Sequence, residues 1–410
     1  MLHMGGCSSG SVYRVVFGLY LSFVCWGAQA QPTDCDDTSS VPNEVLVKFR
    51  SVSTGELAAA NAVVGGQVVK GFLGDGNLYL VRLPEGSDVD QAVASYNGMS
   101  LAVEYAERNF VYCPTDTFPD DPRLGSQWGL IGGAGIRAPL AWDYSIGDPG
   151  ITVADNDTGI DLNHPDLVGN LGVALSFIGG SPQDTNSHGT HTAGTIAAVS
   201  NNGLGVAGVM WIANLMALKI CNTTCSLAAA VDAIDYGTQN GALLSNNSWG
   251  GGSFSQSLRD AISRADQAGV LFVTAAGNNN SNNDSVPFYP CNYGAGPSGL
   301  QNVICVASTN SSFTRSSFSN YGRSTVHLGA PGSSILSTVP GGYGSKSGTS
   351  MASPHVAGVA GLIWSFNPYL GHYDVKNIIL GTVRPLESLP VISGGVLDAG
   401  AALQATPSPF

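Results

Sequence analysis

From Trp128 onward the chain alternates short apolar runs with alanine-rich, helix-compatible stretches, and this alternation narrows the fold more than any other feature. The runs ITVAD, ANLMALKI, GALLSNNS and VLFVTAAG are interleaved with HTAGTIAAV, LAAAVDAIDYGTQ and SLRDAISRADQAG. Nearly continuous apolar strands are buried on both faces, and a helix between two of them returns the chain so that they run parallel. The expectation is an α/β domain, a parallel sheet flanked by helices on both faces. An active site on such a sheet lies at the carboxyl ends of the strands.

The preceding residues read differently. Glu44–Phe49 and Asn77–Leu83 are strands by length and β-branching, and Leu101–Tyr105 is a third. Ser53-Thr54-Gly55-Glu56 fits a capping box ahead of one helix, and Ser87 caps a second. The order expected is β-α-β-β-α-β, a small α+β ferredoxin-like sandwich over residues 31–113. The Pro- and Asp-rich stretch 114–125 is a linker, so a larger domain occupies 114–410.

Residues 1–30 carry a different signal. A mildly positive start is followed by the apolar run Val15–Trp26 and the small-x-small site Ala28-Gln29-Ala30. This is the pattern of a secretory signal peptide, and the run is shorter than the ~20 residues needed to span a bilayer. No membrane span is expected, and the location expected is extracellular. Six cysteines lie outside this segment, and an even set in a secreted chain points to disulfides. Proximity favours Cys221–Cys225 and Cys291–Cys305, which leaves Cys35–Cys113. Only 11% of the 410 residues are charged, with 16 Lys+Arg against 29 Asp+Glu and a net charge of −13. Such a chain is repelled by phosphate backbones, so nucleic acid is not an expected partner.

Three residues at predicted strand ends carry chemistry. Asp157 ends ITVADND, His188 opens a helix in Ser187-His188-Gly189-Thr190-His191, and Ser350 stands in Gly348-Thr349-Ser350-Met351-Ala352-Ser353-Pro354. A serine hydroxyl becomes a nucleophile when a base takes its proton, and histidine titrates in the right range. A carboxylate fixes the imidazole tautomer. Asn278, after VLFVTAAG, offers an amide to an oxyanion.

These motifs resemble the subtilisin-like serine proteases, over about residues 114–405. Asp157-Thr158-Gly159 with His164-Pro165-Asp166, then His188 to Gly194, then Gly348 to Pro354, match the family's three blocks in its Asp, His, Ser order. The resemblance implies a subtilisin-like fold and an N-terminal inhibitor-like propeptide, removed by self-cleavage. Its expected partners are polypeptide substrates and its own propeptide, and the expected state is a monomer. It further implies that Ser248, Trp249 and Gly250 align substrate as an added strand. Ala275, Ala276 and Gly277 then wall the pocket for the side chain before the scissile bond, small walls that leave room for large apolar groups. A structural calcium ion is implied at Asp121, Asp166 and Asn202, with carbonyls of Ser200, Leu204 and Val206.

Other readings are weaker. A second hydrolase class, metal-dependent or esterase, is less supported: His188 and His191 have neither the spacing nor the Glu of a zinc protease, and the lipase-type G-x-S-x-G at Gly6 to Gly10 falls by chance inside the signal segment. A non-catalytic binding protein is at odds with the complete set of catalytic residues. His191 reads as a helix-face packing or hydrogen-bonding residue, and His355 as a packing residue. The residues just before Asp157 depart from the family pattern, being Asp155 and Asn156. Asp155 stands two before Asp157, where apolar residues are usual, on the same strand face.

Overall fold

The computed structural model describes residues 40–51, 53–72, 74–110 and 117–409. The signal segment, the Cys35–Cys113 pair and the first residues of the linker lie outside them. Two compact units result, divided between residues 115 and 116.

The smaller unit comprises β1 (Ser40–Phe49), α1 (Thr54–Val64), β2 (Gln67–Phe72), β3 (Asp75–Arg82), α2 (Val89–Gly98) and β4 (Val103–Phe110). Its antiparallel sheet has the order β2-β3-β1-β4. The two helices bury Ala60, Ala92 and Tyr96 against Val45, Val47, Phe49 and Val81. The Ser53 capping box forms. The cap of α2 is Asp88, whose carboxylate accepts from Gln91 N, while Ser87 donates its hydroxyl to Pro84 O. The last strand begins two residues later than expected, because Leu101 sits in an exposed turn at 97% accessibility.

The larger unit begins with α3 (Ala138–Trp142) and continues through β5 (Gly147–Asp157), β6 (Leu171–Ser176), α4 (His188–Ala197), β7 (Ile212–Lys219), α5 (Leu227–Gln239), β8 (Leu244–Asn247), α6 (Gln256–Gln267), β9 (Leu271–Ala275) and β10 (Val303–Thr309). Then come β11 (Leu328–Pro331), β12 (Ile335–Val339), β13 (Gly342–Lys346), α7 (Thr349–Phe366), α8 (His372–Gly381), β14 (Arg384–Pro385), β15 (Gly395–Val396) and α9 (Ala399–Ala405). Nine strands form one sheet in the order β14-β15-β11-β10-β9-β8-β5-β7-β6, parallel except at the β14–β15 edge.

Successive residues of one strand point to opposite faces, and the strands here are apolar on both. Val153, Leu215 and Ala217 pack with Ala193 and Ile196 of α4 and Val356, Val359 and Ile363 of α7. Their neighbours Ala154, Met216 and Leu218 pack with Ala229, Ala230 and Ala233 of α5. α6 covers the same second face through Leu258 and Ile262 against Phe272 and Val303. The sheet is thus covered on both sides, as expected. The first strand of the sheet, β5, lies inside it, with β7 and β6 on one side and β8, β9, β10, β11, β15 and β14 on the other. Disulfides join Cys221 to Cys225 and Cys291 to Cys305.

Candidate active site

The carboxyl end of β5 meets the start of α4. Gly159 makes the turn after Asp157 with φ +94°, where a Cβ would come 2.1 Å from Pro182 O. A Cβ on Gly189 would come 2.2 Å from Gly159 O, so α4 can approach β5 only with glycine there. That approach brings His188 Nδ1 2.7 Å from Asp157 Oδ1, which also accepts from Thr158 N. Asp157 is buried, and its Oδ2 has no hydrogen-bond partner. Burial alone lowers the imidazolium's pKa. The charge and hydrogen bond of Asp157 outweigh this and leave His188 above its ordinary value. His191 and His355 are pushed down to about 4 by burial, and their rings bond Ile335 O and Met351 O, each at 2.8 Å.

Asp184 organises this helix start and was not singled out by the sequence reading. Its Oδ1 accepts from Asn186 N, Ser187 N and Thr158 Oγ1, and its Oδ2 from Thr190 N and Oγ1. The signal was an Asp shortly before a helix-opening segment, the residue type that satisfies free N-terminal N–H groups.

Ser350 stands in the first turn of α7. Pro354, four residues on, has no N–H, so the Ser350 carbonyl lacks its helical donor. Ser248 Oγ fills the gap at 3.0 Å, and Ser350 Oγ in return donates to Ser248 O at 2.9 Å. The serine hydroxyl therefore rests on the Ser248 carbonyl rather than on His188. Asn278 accepts Thr349 N at 2.8 Å and Thr349 Oγ1 at 3.0 Å through Oδ1. This fixes the amide orientation and leaves Nδ2 as the outward group. A Cβ on Gly348 would stand 3.5 Å from Asn278 Nδ2 and 3.6 Å from Ser350 N, so both nitrogens lie close to one point.

Asp155 explains its own departure from pattern. It is 4% exposed. Its Oδ1 accepts from Asn246 Nδ2 at 2.8 Å and its Oδ2 from Thr192 Oγ1 at 2.9 Å. Asn246 also receives Ser353 Oγ at 2.7 Å and reaches Ser248 Oγ at 3.1 Å. One carboxyl thus links β5, α4, β8 and α7. Burial and then the charge of Asp157 raise its pKa to about 8, and its hydrogen bonds to Asn246 and Thr192 offset only part of this.

The residues expected along the substrate path fall beyond the ends of β8 and β9. Trp249 is half-buried, and its ring packs between the clusters around α5 and α6. Ala275 ends β9, and Ala276 packs with Cys291, Cys305 and Ala307. Between Gly250 and Gly277 lies the ring of Phe288, which the sequence reading did not single out.

The loop 200–206 lies against two acids. Asp121 accepts Asn201 N at 2.8 Å. Asp166 accepts Asn202 Nδ2 at 2.9 Å and Val206 N at 3.0 Å. A Cβ on Gly205 would come 2.2 Å from Asp166 Oδ2, so the loop closes on the acid only with glycine there. Asp121 Oδ1 is buried without a partner. Burial first, and the charge of Asp166, raise the Asp121 carboxyl above its ordinary range. Among the described residues no group of three or more His, Cys, Asp or Glu gathers to bind a metal. An ion here would take two carboxylates, with amide and backbone oxygens completing the set. A buried, donor-less carboxylate oxygen beside a second acid suits a hard cation.

A family model described as the subtilase family matches residues 148–398. The chain belongs to the subtilase family. A second model, the fervidolysin N-terminal prodomain, matches residues 30–109 of this subtilase. The chain is 42% identical over 252 residues to thermitase of Thermoactinomyces vulgaris, covering 60% of this chain and 85% of that protein. It is 38% identical over 280 residues to subtilisin Savinase of Lederbergia lenta, covering 67% and 97%. A thermophilic serine proteinase of Bacillus sp. (strain AK1) is 36% identical over 335 residues, covering 79% and 78%. A solved protease structure from Pseudoalteromonas arctica superposes with a TM-score of 0.64 at 31% identity, covering 71% of this subtilase and all of that chain. This subtilase is a serine endopeptidase with an N-terminal prodomain.

Proposed function

We propose that the subtilase is secreted as a self-processing precursor and cleaves polypeptides with Ser350 as nucleophile, His188 as general base and acid, and Asp157 as the carboxylate that orients His188. The observation that carries this is the 2.7 Å hydrogen bond from His188 Nδ1 to Asp157 Oδ1, which leaves Nε2 as the basic nitrogen. Ser350 Oγ exchanges the Ser248 carbonyl for His188 Nε2, gives up its proton there and bonds to the carbonyl carbon of the substrate. The negative charge that develops on the substrate oxygen is met by Ser350 N and Asn278 Nδ2. His188 then protonates the leaving amine. The same nitrogen then takes a proton from a water that bonds to the acyl carbon, and passes it to Ser350 Oγ as the acyl–oxygen bond breaks.

Ser248, Trp249 and Gly250 take the substrate backbone as an added strand. The domain limits are 1–30 for the signal peptide, 31–113 for an inhibitory propeptide and 114–410 for the enzyme. Secretion is supported by the N-terminal segment and by two disulfides. Among the described residues no helix is long and apolar enough to cross a membrane. Asp121, Asp166 and Asn202, with carbonyls of Ser200, Leu204 and Val206, hold a calcium ion that stiffens the loop and takes no part in catalysis.

The test is the Ser350→Ala precursor, purified free of other proteases. It should remain uncut after signal removal, whereas the wild type should yield a mature chain starting between Pro114 and Asp121. Correct trimming of the pure variant would remove Ser350 from the nucleophile role.

A further inference from the structure

We infer that Phe288 plugs the pocket for the side chain preceding the scissile bond, so that this subtilase cleaves after small residues, glycine, alanine and serine, rather than large apolar ones. The inference rests on the proposed use of 248–250 and 275–277 as the pocket's walls and names the substrate class those walls admit.

Small walls alone suggest a roomy slot, but the ring of Phe288 occupies it. A Cβ on Gly250 would meet Phe288 Cε1 at 2.4 Å and Cζ at 2.8 Å. A Cβ on Gly277 would meet Cδ2 of the same ring at 3.1 Å. Cε1 and Cδ2 are opposite corners of a phenyl ring, so one ring spans the gap between the two backbone segments. A substrate phenyl or isobutyl group entering between them would need the volume that Phe288 already fills, and side-chain volume is what such pockets discriminate.

The ring is held there by its backbone. Phe288 N donates to Asn292 Oδ1 at 2.9 Å, and Asn292 N donates to Phe288 O at 2.9 Å. The next residue, Tyr289, exchanges both backbone hydrogen bonds with Gly251, at 2.6 and 2.8 Å, which ties the loop to one wall. Asn292 Nδ2 bonds Asn283 O, and Asn283 Nδ2 bonds Ala276 O, each at 2.9 Å, which ties it to the other. The disulfide Cys291–Cys305 anchors the same loop to β10. Phe288 also packs on the cluster of Ala276, Cys291 and Cys305. Displacing the ring would cost that contact on every turnover with a bulky residue.

The experiment compares kcat/KM of the mature enzyme on peptide anilides that differ only in the residue before the scissile bond, glycine, alanine, leucine or phenylalanine. The wild type should favour alanine over phenylalanine by at least about tenfold, within the range that one or two methylenes earn in a shaped pocket. Phe288→Gly should lower that ratio by at least about tenfold, and Phe288→Leu should fall between. A wild type that prefers phenylalanine or leucine overturns the inference even if no variant folds. So does a folded Phe288→Gly enzyme whose ratio equals that of the wild type. In both cases peptide cleavage itself stands, so the proposed protease activity survives. Absence of cleavage in all four peptides and in a denatured protein substrate overturns that activity, and the plug with it.

Discussion

Asp155→Asn isolates a charge from a shape. In its neutral form Asp155 can satisfy every neighbour: Oδ1 accepts Asn246 Nδ2, and a proton on Oδ2 donates to Thr192 Oγ1. Thr192 then passes its own hydrogen to Gly189 O, 3.0 Å away. Asparagine reproduces that pattern and leaves one N–H unpaired, a cost of about 1–3 kcal/mol at any pH. The pH dependence separates the two proteins. Because the folded-state pKa is raised, Asp155 contributes most to stability below the unfolded value of ~3.9, and that contribution falls as pH rises towards about 8. Between pH 5 and 7 the raised carboxyl stays protonated in the fold while the unfolded one is ionised, so the wild type loses roughly 1 kcal/mol or somewhat more per pH unit from this group. The variant does not. Over two units it should gain roughly 3 kcal/mol on the wild type, or roughly 5–10 °C in melting temperature for a domain of this size. The assay is thermal unfolding at pH 5, 6 and 7 of both proteins in a Ser350→Ala background, which prevents self-digestion. A melting-temperature difference that stays constant over that range would mean that Asp155 is already ionised in the fold, and the reasoning would fail.

Three further outcomes are expected. Asn278→Ala should lower kcat by ~10²–10³ with little change in KM, because the amide serves the developing oxyanion; a change in KM alone would contradict that role. kcat/KM should rise with pH through a midpoint above about 6.5, since the base form of His188 is needed and its pKa is raised by Asp157; a flat profile from pH 5 to 9 would remove His188 as the base. A chelator should leave initial rates intact while lowering the melting temperature and the half-life at elevated temperature, and immediate loss of turnover would mean that a metal takes part in the chemistry.

Local context made part of this site readable. Asp157 ends β5, His188 opens α4, Ser350 stands in the first turn of α7 and Asn278 follows three residues after β9, and in each a few consecutive residues define the turn and the candidate chemistry together. The alternation of apolar strands and alanine-rich helices likewise foretold a sheet covered on both faces. Asp155 was conspicuous but opaque, because its partners Thr192 and Asn246, and Ser353 beyond them, come from three distant segments. Phe288 gave no signal, since its meaning arises only when the chain folds it between Gly250 and Gly277. The cap of α2 was misread by one residue because Ser87 and Asp88 are adjacent candidates, and the serine hydroxyl is engaged by Pro84.

Pro354 has a dynamic consequence. By withholding an N–H it releases the Ser350 carbonyl from its own helix, and Ser248 takes it up. The proposed nucleophile is thereby referenced to the segment proposed to align the substrate as well as to the helix that carries it. The reciprocal hydrogen bonds, at 3.0 and 2.9 Å, resist any displacement of Ser350 relative to Ser248, and so any shift of α7 that would lengthen the proposed attack distance. A break in helical regularity thus becomes common-mode rejection of noise.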